Sequence, residues 1–198
     1  MSEKTLFEAG SSEEELAELG EKSLSSEQVY DGSMLKVFRD SVALPDGGTS
    51  SREYIKHPGA VAIVAIDEDG SILLERQFRF PFDGVFNEIP AGKLDYYGED
   101  RLEAARRELR EETGYVASDW LCLGDFLPAI AYSNERITVY LARGLKKEER
   151  ELDADEFIDV FRVPFSEALE AATSGKIPDA KTQAGILRAA FVLGKAGV

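Results

Sequence analysis

A run of seven consecutive apolar residues, at positions 60–66, constrains the fold of this chain more than any other feature. Seven residues are far too few to cross a bilayer, and a turn signal follows directly at residues 67–70. In a strand, successive side chains point to opposite faces, so a strand that is apolar throughout has to be covered on both faces. The run therefore predicts a buried strand inside a layered domain, which a chain of 198 residues is long enough to form.

Strand-like segments outnumber helical ones along the rest of the chain. Further strands are predicted from near residue 28 and at residues 34–38, 41–44, 51–55, 72–80, 85–90, 120–126, 136–141 and 157–163. Helices are predicted at residues 99–113, 164–174 and 180–193. Because the helices are interspersed and late, we expect a fold of the α/β or α+β class, in which a mixed β-sheet is sandwiched between α-helices.

The composition predicts three segments. Residues 1–26 are polar and acidic and form an N-terminal extension with, at most, a short helix near Ser12. Residues 27–58 hold the N-terminal strands, which form an antiparallel β extension around a turn at residues 45–48. Residues 59–198 form the main domain.

The net charge of −15 at pH 7 argues against protein classes that depend on basic patches. Neither nucleic acid nor an anionic membrane is expected as a partner. The single cysteine, Cys122, rules out an internal disulfide, fits a reducing compartment and is predicted to be buried in a strand. Because the first 25 residues also lack the apolar segment of a secretory signal, a cytoplasmic location is expected.

The helix predicted at residues 99–113 carries three glutamates on one face. Glu108, Glu111 and Glu112 are spaced i, i+3 and i+4, so they lie together beside the apolar stripe that packs on the sheet. Carboxylates this close repel one another, and a divalent cation that prefers oxygen ligands, Mg²⁺ or Mn²⁺, would remove the repulsion. The alternative is a solvated acidic face neutralised by arginines of the same helix.

The surroundings of these glutamates resemble the signature of the Nudix hydrolase family, G-x5-E-x7-R-E-U-x-E-E-x-G-U, where U is a large apolar residue. The matching segment reads Gly92-(six residues)-Glu99-(seven residues)-Arg107-Glu108-Leu109-Arg110-Glu111-Glu112-Thr113-Gly114-Tyr115. The loop before Glu99 is one residue longer than in the family pattern. The resemblance implies a Nudix fold with a loop–helix–loop in which Glu108, Glu111, Glu112 and the backbone carbonyl of Ala91 bind Mg²⁺ or Mn²⁺. Arg107 would orient the glutamates.

Other stretches resemble the ADP-ribose pyrophosphatase group of that family. They are residues 51–54, the Gln-Phe-Arg sequence at 77–79, the Glu-Ile-Pro-Ala-Gly sequence at 88–92 and residues 174–186. The resemblance implies a homodimer that hydrolyses the diphosphate bond of a nucleoside-diphosphate sugar, first of all ADP-ribose to AMP and ribose 5-phosphate. Ile130 stands where ADP-ribose enzymes carry a proline after the signature. GDP-mannose or another nucleoside-diphosphate-linked substrate therefore stays open.

The same resemblance implies roles for further charged residues. Arg52 and Arg79 would contact the phosphate or the terminal ribose of the substrate. Glu156 is the first candidate for the catalytic base, and Glu135 is the second candidate, which would otherwise contact substrate. Glu111 is expected to serve catalysis as well as metal binding. A non-catalytic Nudix module that senses a nucleotide is the alternative of a different class, although such modules tend to lose the signature glutamates.

Overall fold

The computed structural model describes residues 12–152 and 156–194, and these form two compact units. The first unit contains the described residues up to His57 together with Ala131–Asn134. The second contains the other described residues from Pro58 onwards. Residues 1–11 of the predicted N-terminal extension lie outside the described residues.

The first unit is a three-stranded antiparallel sheet preceded by a short helix. Its elements are α1 (Glu13–Leu19), β1 (Lys22–Asp31), β2 (Lys36–Ala43) and β3 (Thr49–Lys56), with strand order β1-β2-β3. Ser12 caps α1 in a reciprocal pair with Glu15, as the sequence suggested. The strand expected from near residue 28 already begins at Lys22. Every residue of β1 is exposed, so the strand lacks the apolar alternation from which its start would be predicted.

The second unit holds two sheets and three longer helices. Its strands are β4 (Ala60–Ala65), β5 (Ser71–Arg79), β6 (Gly84–Glu88), β7 (Ala91–Lys93), β8 (Tyr115–Phe126), β9 (Ile137–Lys147) and β10 (Ile158–Pro164). Its helices are α2 (Arg101–Thr113), α3 (Phe165–Thr173) and α4 (Ala180–Val192), with a 3-10 turn at Phe80–Phe82. One sheet is mixed, with order β7-β4-β9-β8 and a parallel β4–β9 pair, and the other is antiparallel, with order β10-β5-β6.

Strand β4 is buried on both faces, as its apolar sequence requires. One face of β4 packs with α2 in a core that includes Val61, Ile63, Ala65, Ala104, Ala105 and Leu109. The opposite face packs with α3 and α4 in a core that includes Ala62, Val64, Phe165, Ile186, Ala189 and Ala190. The mixed sheet is therefore sandwiched between helices, which confirms the predicted architecture.

The strands β8 and β9 are longer than the sequence predicted, and one burial prediction is wrong. Cys122 was expected to be buried but is exposed. It lies on β8, which is the last strand of its sheet and pairs only with β9. Alternation along a strand indicates which residues share a face, but not whether another element covers that face. Among the described helices, none is long and apolar enough to cross a membrane.

Candidate active site

Helix α2 is held in position at both ends. The Asp100 side chain accepts two backbone N–H groups of the first turn at 2.9 and 3.0 Å, and Gly114 ends the helix with a φ of 70°, a conformation that glycine adopts without strain. The apolar face of the helix is fully buried against β4, which fixes its rotation. Glu108 and Glu112, on the adjacent face, are consequently buried as well, although both are charged groups.

An acidic pocket of about 330 Å³ opens beside this face of α2. Its lining residues are Ala91, Gly92, Lys93, Asp95, Arg107, Glu108, Glu111, Glu112, Glu151 and Glu156. The structure thus brings together the three signature glutamates, Ala91 and the first candidate base, Glu156. Glu135 has intermediate exposure and is not among the described residues that line this pocket.

The backbone of β7 lies directly against the glutamates of α2. The N–H of Ala91 donates a hydrogen bond to Glu112 Oε2 at 2.9 Å. A Cβ atom added at Gly92 would lie 2.0 Å from the carboxyl carbon of Glu108, so no larger residue fits there while Glu108 keeps its position. The glycine of the signature is therefore required by this close approach.

Arg107 joins the acidic groups at the rim of the pocket. Its guanidinium donates to Glu108 Oε1 at 2.8 Å, to Glu111 Oε2 at 3.2 Å and to Glu99 Oε1 at 3.4 Å. Glu99 also accepts the N–H of Asp95 at 2.7 Å, which closes the loop that is one residue longer than the family pattern. Glu99 thus holds the loop and Arg107, and it is not among the described residues that line the pocket.

Burial and crowding make the ionised form of these carboxyls costly. Burial raises the pKa of Glu108 to about 7, against the opposing charge of Arg107. Burial also raises the pKa of Glu112 well above its ordinary value, and the neighbouring carboxylates of Glu75 and Glu108 raise it further. The pKa of Glu75 rises to about 8, mainly through burial, with Arg150 opposing the rise. In the cation-free protein these three carboxyls therefore hold a proton more readily than an exposed glutamate does.

The residues present fit a hard divalent cation. The donors are carboxylate oxygens and backbone carbonyls, which suit Mg²⁺ and Mn²⁺. Within the described residues, no three acidic, histidine or cysteine side chains already form the coordination shell of one ion. The carboxylates are not arranged around one ion because Arg107 donates hydrogen bonds to oxygens of Glu108 and Glu111. A cation entering the pocket would compete with Arg107 for these oxygens.

We expect the cation-free protein to lose stability as the pH rises from about 4.5 to about 8. A carboxyl with a raised folded-state pKa binds its proton more tightly when folded. The contribution of such a carboxyl to the stability of the fold is therefore complete below pH 4.5, the ordinary pKa. It is lost as the pH rises through the folded-state pKa, about 7 for Glu108 and about 8 for Glu75. Melting temperatures in a chelator should fall over this range, and Mg²⁺ should reduce the fall because it favours the ionised form. Glu108→Gln should show a shallower dependence, and an unchanged slope in that variant would contradict the assignment.

Arg79 lies at a second pocket, of about 490 Å³. Its guanidinium donates two hydrogen bonds to Glu88, both at 2.7 Å. Lys181 also pairs with Glu88, and it pairs with Asp179 at 3.0 Å. Burial opposes the ionisation of Glu88, but the bonds from Arg79 and Lys181 outweigh it and lower the pKa of this carboxyl. The remaining wall of the pocket is largely apolar and includes Pro81, Phe82, Phe86 and Pro178.

Arg52, the other predicted substrate-binding arginine, belongs to the first unit. It lies on β3 and forms a two-pronged ion pair with Glu21, in which its Nε donates at 2.9 Å. Its Nη1 also donates to Ser50 Oγ at 3.0 Å and to the carbonyl of Ser51 at 2.9 Å. The side chain is thus held in one orientation while about half of it remains exposed (45%).

Sequence reasoning assigned no role to Glu75, Glu88 or Lys181. Glu75 is the last of four buried residues in β5 and is followed by Arg76 and Gln77, so the sequence does not mark it as a buried charge. Glu88 and Lys181 each lie in stretches that resemble the ADP-ribose pyrophosphatase group. Their ion pair joins residues 93 positions apart in the chain, so no local pattern could reveal it.

The sandwich fold and the acidic pocket on α2 together define a Nudix hydrolase. Residues 56–184 match the model of the NUDIX domain, and residues 21–55 match the model of the nucleoside diphosphate sugar hydrolase N-terminal domain. The chain belongs to the Nudix hydrolase family.

Two relatives resemble most of the chain. The chain is 42% identical over 166 residues to an ADP-ribose pyrophosphatase of Bacillus subtilis (strain 168). The aligned region covers 83% of this chain and 89% of the relative. The chain is also 42% identical over 164 residues to a methanol dehydrogenase activator of Bacillus methanolicus, with 82% and 88% covered. A crystal structure of an ADP compounds hydrolase matches this structure with a TM-score of 0.78 and 24% sequence identity. The match covers 89% of this chain and 96% of the other, and it shows a shared fold.

Proposed function

We propose that this protein hydrolyses the diphosphate bond of a nucleoside-diphosphate sugar in a Mg²⁺-dependent reaction, with ADP-ribose as the first substrate and AMP and ribose 5-phosphate as products. The observation that carries the proposal is the pocket in which all three signature glutamates meet Glu156 and the Ala91–Gly92 backbone. The match of residues 21–55 to a nucleoside diphosphate sugar hydrolase domain and the resemblance to an ADP-ribose pyrophosphatase support the substrate class.

In this proposal Glu108, Glu111, Glu112 and the carbonyl of Ala91 hold the cations. Bound Mg²⁺ supplies charge neutralisation for the diphosphate and lowers the pKa of a water molecule; Mn²⁺ is an alternative ion. Arg107 keeps the carboxylates oriented through its hydrogen bonds to Glu108 and Glu111. Such a reaction depends on positioning and on charge stabilisation rather than on a covalent nucleophile.

Two arginines are assigned to contacts with the anionic substrate, and each is paired with a carboxylate in this structure, Arg79 with Glu88 and Arg52 with Glu21. Arg79 is assigned to a contact with the phosphate or the terminal ribose of the substrate. The reason is that it lies at the second pocket and interacts electrostatically with Glu112 of the acidic pocket. Arg52 is assigned to the same class of contact from the first unit. Since Glu88 already holds the Arg79 guanidinium, substrate binding there requires no large side-chain ordering.

The catalytic base is assigned to Glu156, with Glu135 as the competing candidate. Because Glu156 lines the acidic pocket, we expect Glu156→Gln to lower kcat by roughly 10²- to 10⁴-fold. Glu135→Gln should change kcat less than Glu156→Gln and should act mainly on KM if this residue contacts substrate. Steady-state kinetics of both variants at saturating Mg²⁺ would decide the matter. A larger kcat loss in Glu135→Gln would reverse the assignment.

A product assay tests the proposed function directly. The protein is incubated with Mg²⁺ and a panel that contains ADP-ribose, GDP-mannose and a nucleoside triphosphate, and the products are separated by chromatography. AMP with ribose 5-phosphate is the expected result. Faster release of GMP and mannose 1-phosphate would select the GDP-mannose alternative. Absence of turnover, together with tight nucleotide binding, would select the non-catalytic sensor, although all three signature glutamates are present in this chain.

Three further assignments belong to the same proposal. We assign the protein to the cytoplasm, in keeping with its single, free cysteine. We assign a homodimer. We also assign the N-terminal strands of residues 27–58 to dimerisation and substrate contacts, and residues 59–198 to the catalytic domain. Light scattering at micromolar concentration should give twice the chain mass of 21.8 kDa, and a monomer would remove this assignment.

A further inference from the structure

Lys181 is a nearly buried lysine to which the reaction outlined above assigns no role. It lies in the first turn of α4, and its side chain is only 14% exposed. Its ammonium group forms ion pairs with Glu88, at the end of β6, and with Asp179, at 3.0 Å. A buried charge is costly unless it is paired, so Lys181 depends on these carboxylates. In return, Lys181 restricts the position of Glu88.

Helix α4 provides a fixed base for this lysine. The helix packs into the core through side chains such as Ile186, which is fully buried. Asp179 caps its N-terminus and accepts the backbone N–H of Thr182 at 2.9 Å. The Thr182 hydroxyl accepts the N–H of Ile89 at 2.9 Å. The start of α4 is therefore tied both to the core and to the chain that follows β6.

Glu88 connects Lys181 to Arg79. The residue is 4% exposed, and both of its carboxylate oxygens accept hydrogen bonds from Arg79, Oε1 from Nε and Oε2 from Nη2, each at 2.7 Å. Two parallel bonds of this kind fix the orientation of a guanidinium relative to a carboxylate. Oε2 also accepts a hydrogen bond from Lys181 Nζ. A change at Lys181 therefore reaches Arg79 through a single shared carboxylate.

Arg79 keeps one nitrogen available for a ligand. Among the described residues, its Nη1 has no hydrogen-bond partner, and 41% of its side chain is exposed at the pocket of about 490 Å³. Arg79 and Lys181 carry two positive charges, and Glu88 and Asp179 carry two negative charges. The cluster therefore has no net charge. Its value for an anionic substrate lies in holding a donor in one place rather than in an excess of positive charge.

We propose that Lys181 is a positioning residue for substrate binding, which holds Glu88 from the side of α4 and thereby keeps the Arg79 guanidinium in the orientation that binds substrate. The inference rests on the proposed function, because it needs Arg79 to contact the substrate. A donor that is held in place before binding loses little conformational freedom on binding. Lys181 is not among the described residues that line the acidic pocket, so its loss should weaken binding and spare the chemical step.

The first test is steady-state kinetics of the full-length protein with ADP-ribose at saturating Mg²⁺. Lys181→Met should raise KM by about tenfold and leave kcat nearly unchanged. Lys181→Arg keeps the charge and the hydrogen-bond donors, and it should recover most of the affinity. Lys176→Met is the matched control, because it removes one positive charge at an exposed position (69%) shortly before α4. It should change KM by less than about twofold.

A double-mutant cycle with Arg79→Met shows whether Lys181 acts through Arg79. In that case the double variant should have no higher KM than Arg79→Met alone, because the group that Lys181 positions is already missing. A lysine that contacts the substrate itself, or that only stabilises the fold, would act independently of Arg79. The two increases in KM would then multiply, and the inference would be refuted.

The remaining outcomes separate this inference from the proposed function. If Lys181→Met has the KM of the wild type while Arg79→Met is impaired, the role of Lys181 is refuted and the function stands. A lower kcat with an unchanged KM in Lys181→Met would also overturn it. If Arg79→Met binds substrate normally, the inference fails together with the assignment of Arg79. If the wild type hydrolyses no nucleoside-diphosphate sugar, the proposed function itself fails.

Thermal denaturation of every variant guards against a folding defect. Should Lys181→Met fail to fold, Lys181→Gln retains an amide donor for Glu88 and enters the same cycle. The supporting result is a raised KM with an unchanged kcat in a folded Lys181 variant, and no further rise when Arg79 is also replaced.

Discussion

Replacing Glu112 with glutamine is expected to lower kcat/KM for ADP-ribose by roughly 10³-fold or more, because the change removes a proposed metal ligand. Loss of a group that only orients a metal ligand typically lowers activity by about 10- to 100-fold. Glu112 is 5% exposed, and its Oε2 accepts the N–H of Ala91 at 2.9 Å. Glutamine has the same shape but no charge. The fold should therefore survive, and the metal-free variant should be at least as stable as the wild type, since a crowded carboxyl has been removed.

The matched control is Glu103→Gln on the same helix. Glu103 lies in the first turn of α2, and its side chain is exposed (65%) and pairs with Arg106 at 2.6 Å. An exposed pair of this kind contributes little to stability, so the control should keep wild-type activity and melting temperature. Kinetics over a range of Mg²⁺ concentrations and thermal denaturation provide the comparison. Normal turnover in Glu112→Gln would mean that the metal assignment on α2 is wrong.

Gly92→Ala is expected to lower kcat/KM by about 10²-fold while leaving the melting temperature nearly unchanged. The reason is that it displaces the carboxyl of a proposed metal ligand, Glu108, by about an ångström or more without disturbing the core. The added methyl group would lie 2.0 Å from the carboxyl carbon of Glu108. That carboxyl is the end of a flexible side chain, so it can move away. Gly92 does not have a positive φ, so alanine meets no backbone strain there.

The control for this variant is Gly84→Ala. A Cβ at Gly84 would meet its nearest atom, a ring carbon of Phe86, at 3.4 Å, which is an ordinary contact distance, and Gly84 also lacks a positive φ. We expect near-normal kinetics from it. Mn²⁺ titration of Gly92→Ala should show weakened binding, since Glu108 is displaced. Full activity in Gly92→Ala would show that Glu108 does not need its observed position for catalysis.

The catalytic helix could be predicted almost completely from the sequence. Its predicted end at Gly114 is correct, and it begins at Arg101 rather than at 99 because the Asp100 side chain caps the first turn. The i, i+3, i+4 spacing alone places Glu108, Glu111 and Glu112 on one face, because helical geometry is a local property of the chain. The buried strand at β4 and the helix sandwich around it followed in the same way from apolar patterning.

Several features of the site depend on contacts that no local pattern contains. Glu75 looked like one more charged residue in a strand, and only the packing of β5 and α2 into one core brings its charge to act on Glu112. The pairing of Lys181 with Glu88 likewise depends on α4 lying against the sheet. The choice between Glu156 and Glu135 as the base was open in the sequence, and the folded chain brings only Glu156 to the described pocket wall.

The sequence by itself determined most of the elements, the family and the glutamates that we propose as metal ligands, because periodicity, caps and the signature lie within short stretches of chain. Only the tertiary structure decided which charges share a buried environment, because the cost of burying a carboxylate depends on neighbours that are distant in sequence. The exposure of Cys122 and the early start of β1 were also decided by the tertiary structure. In each case the deciding quantity is what covers a side chain, and that is set by how strands and helices pack rather than by their own residues.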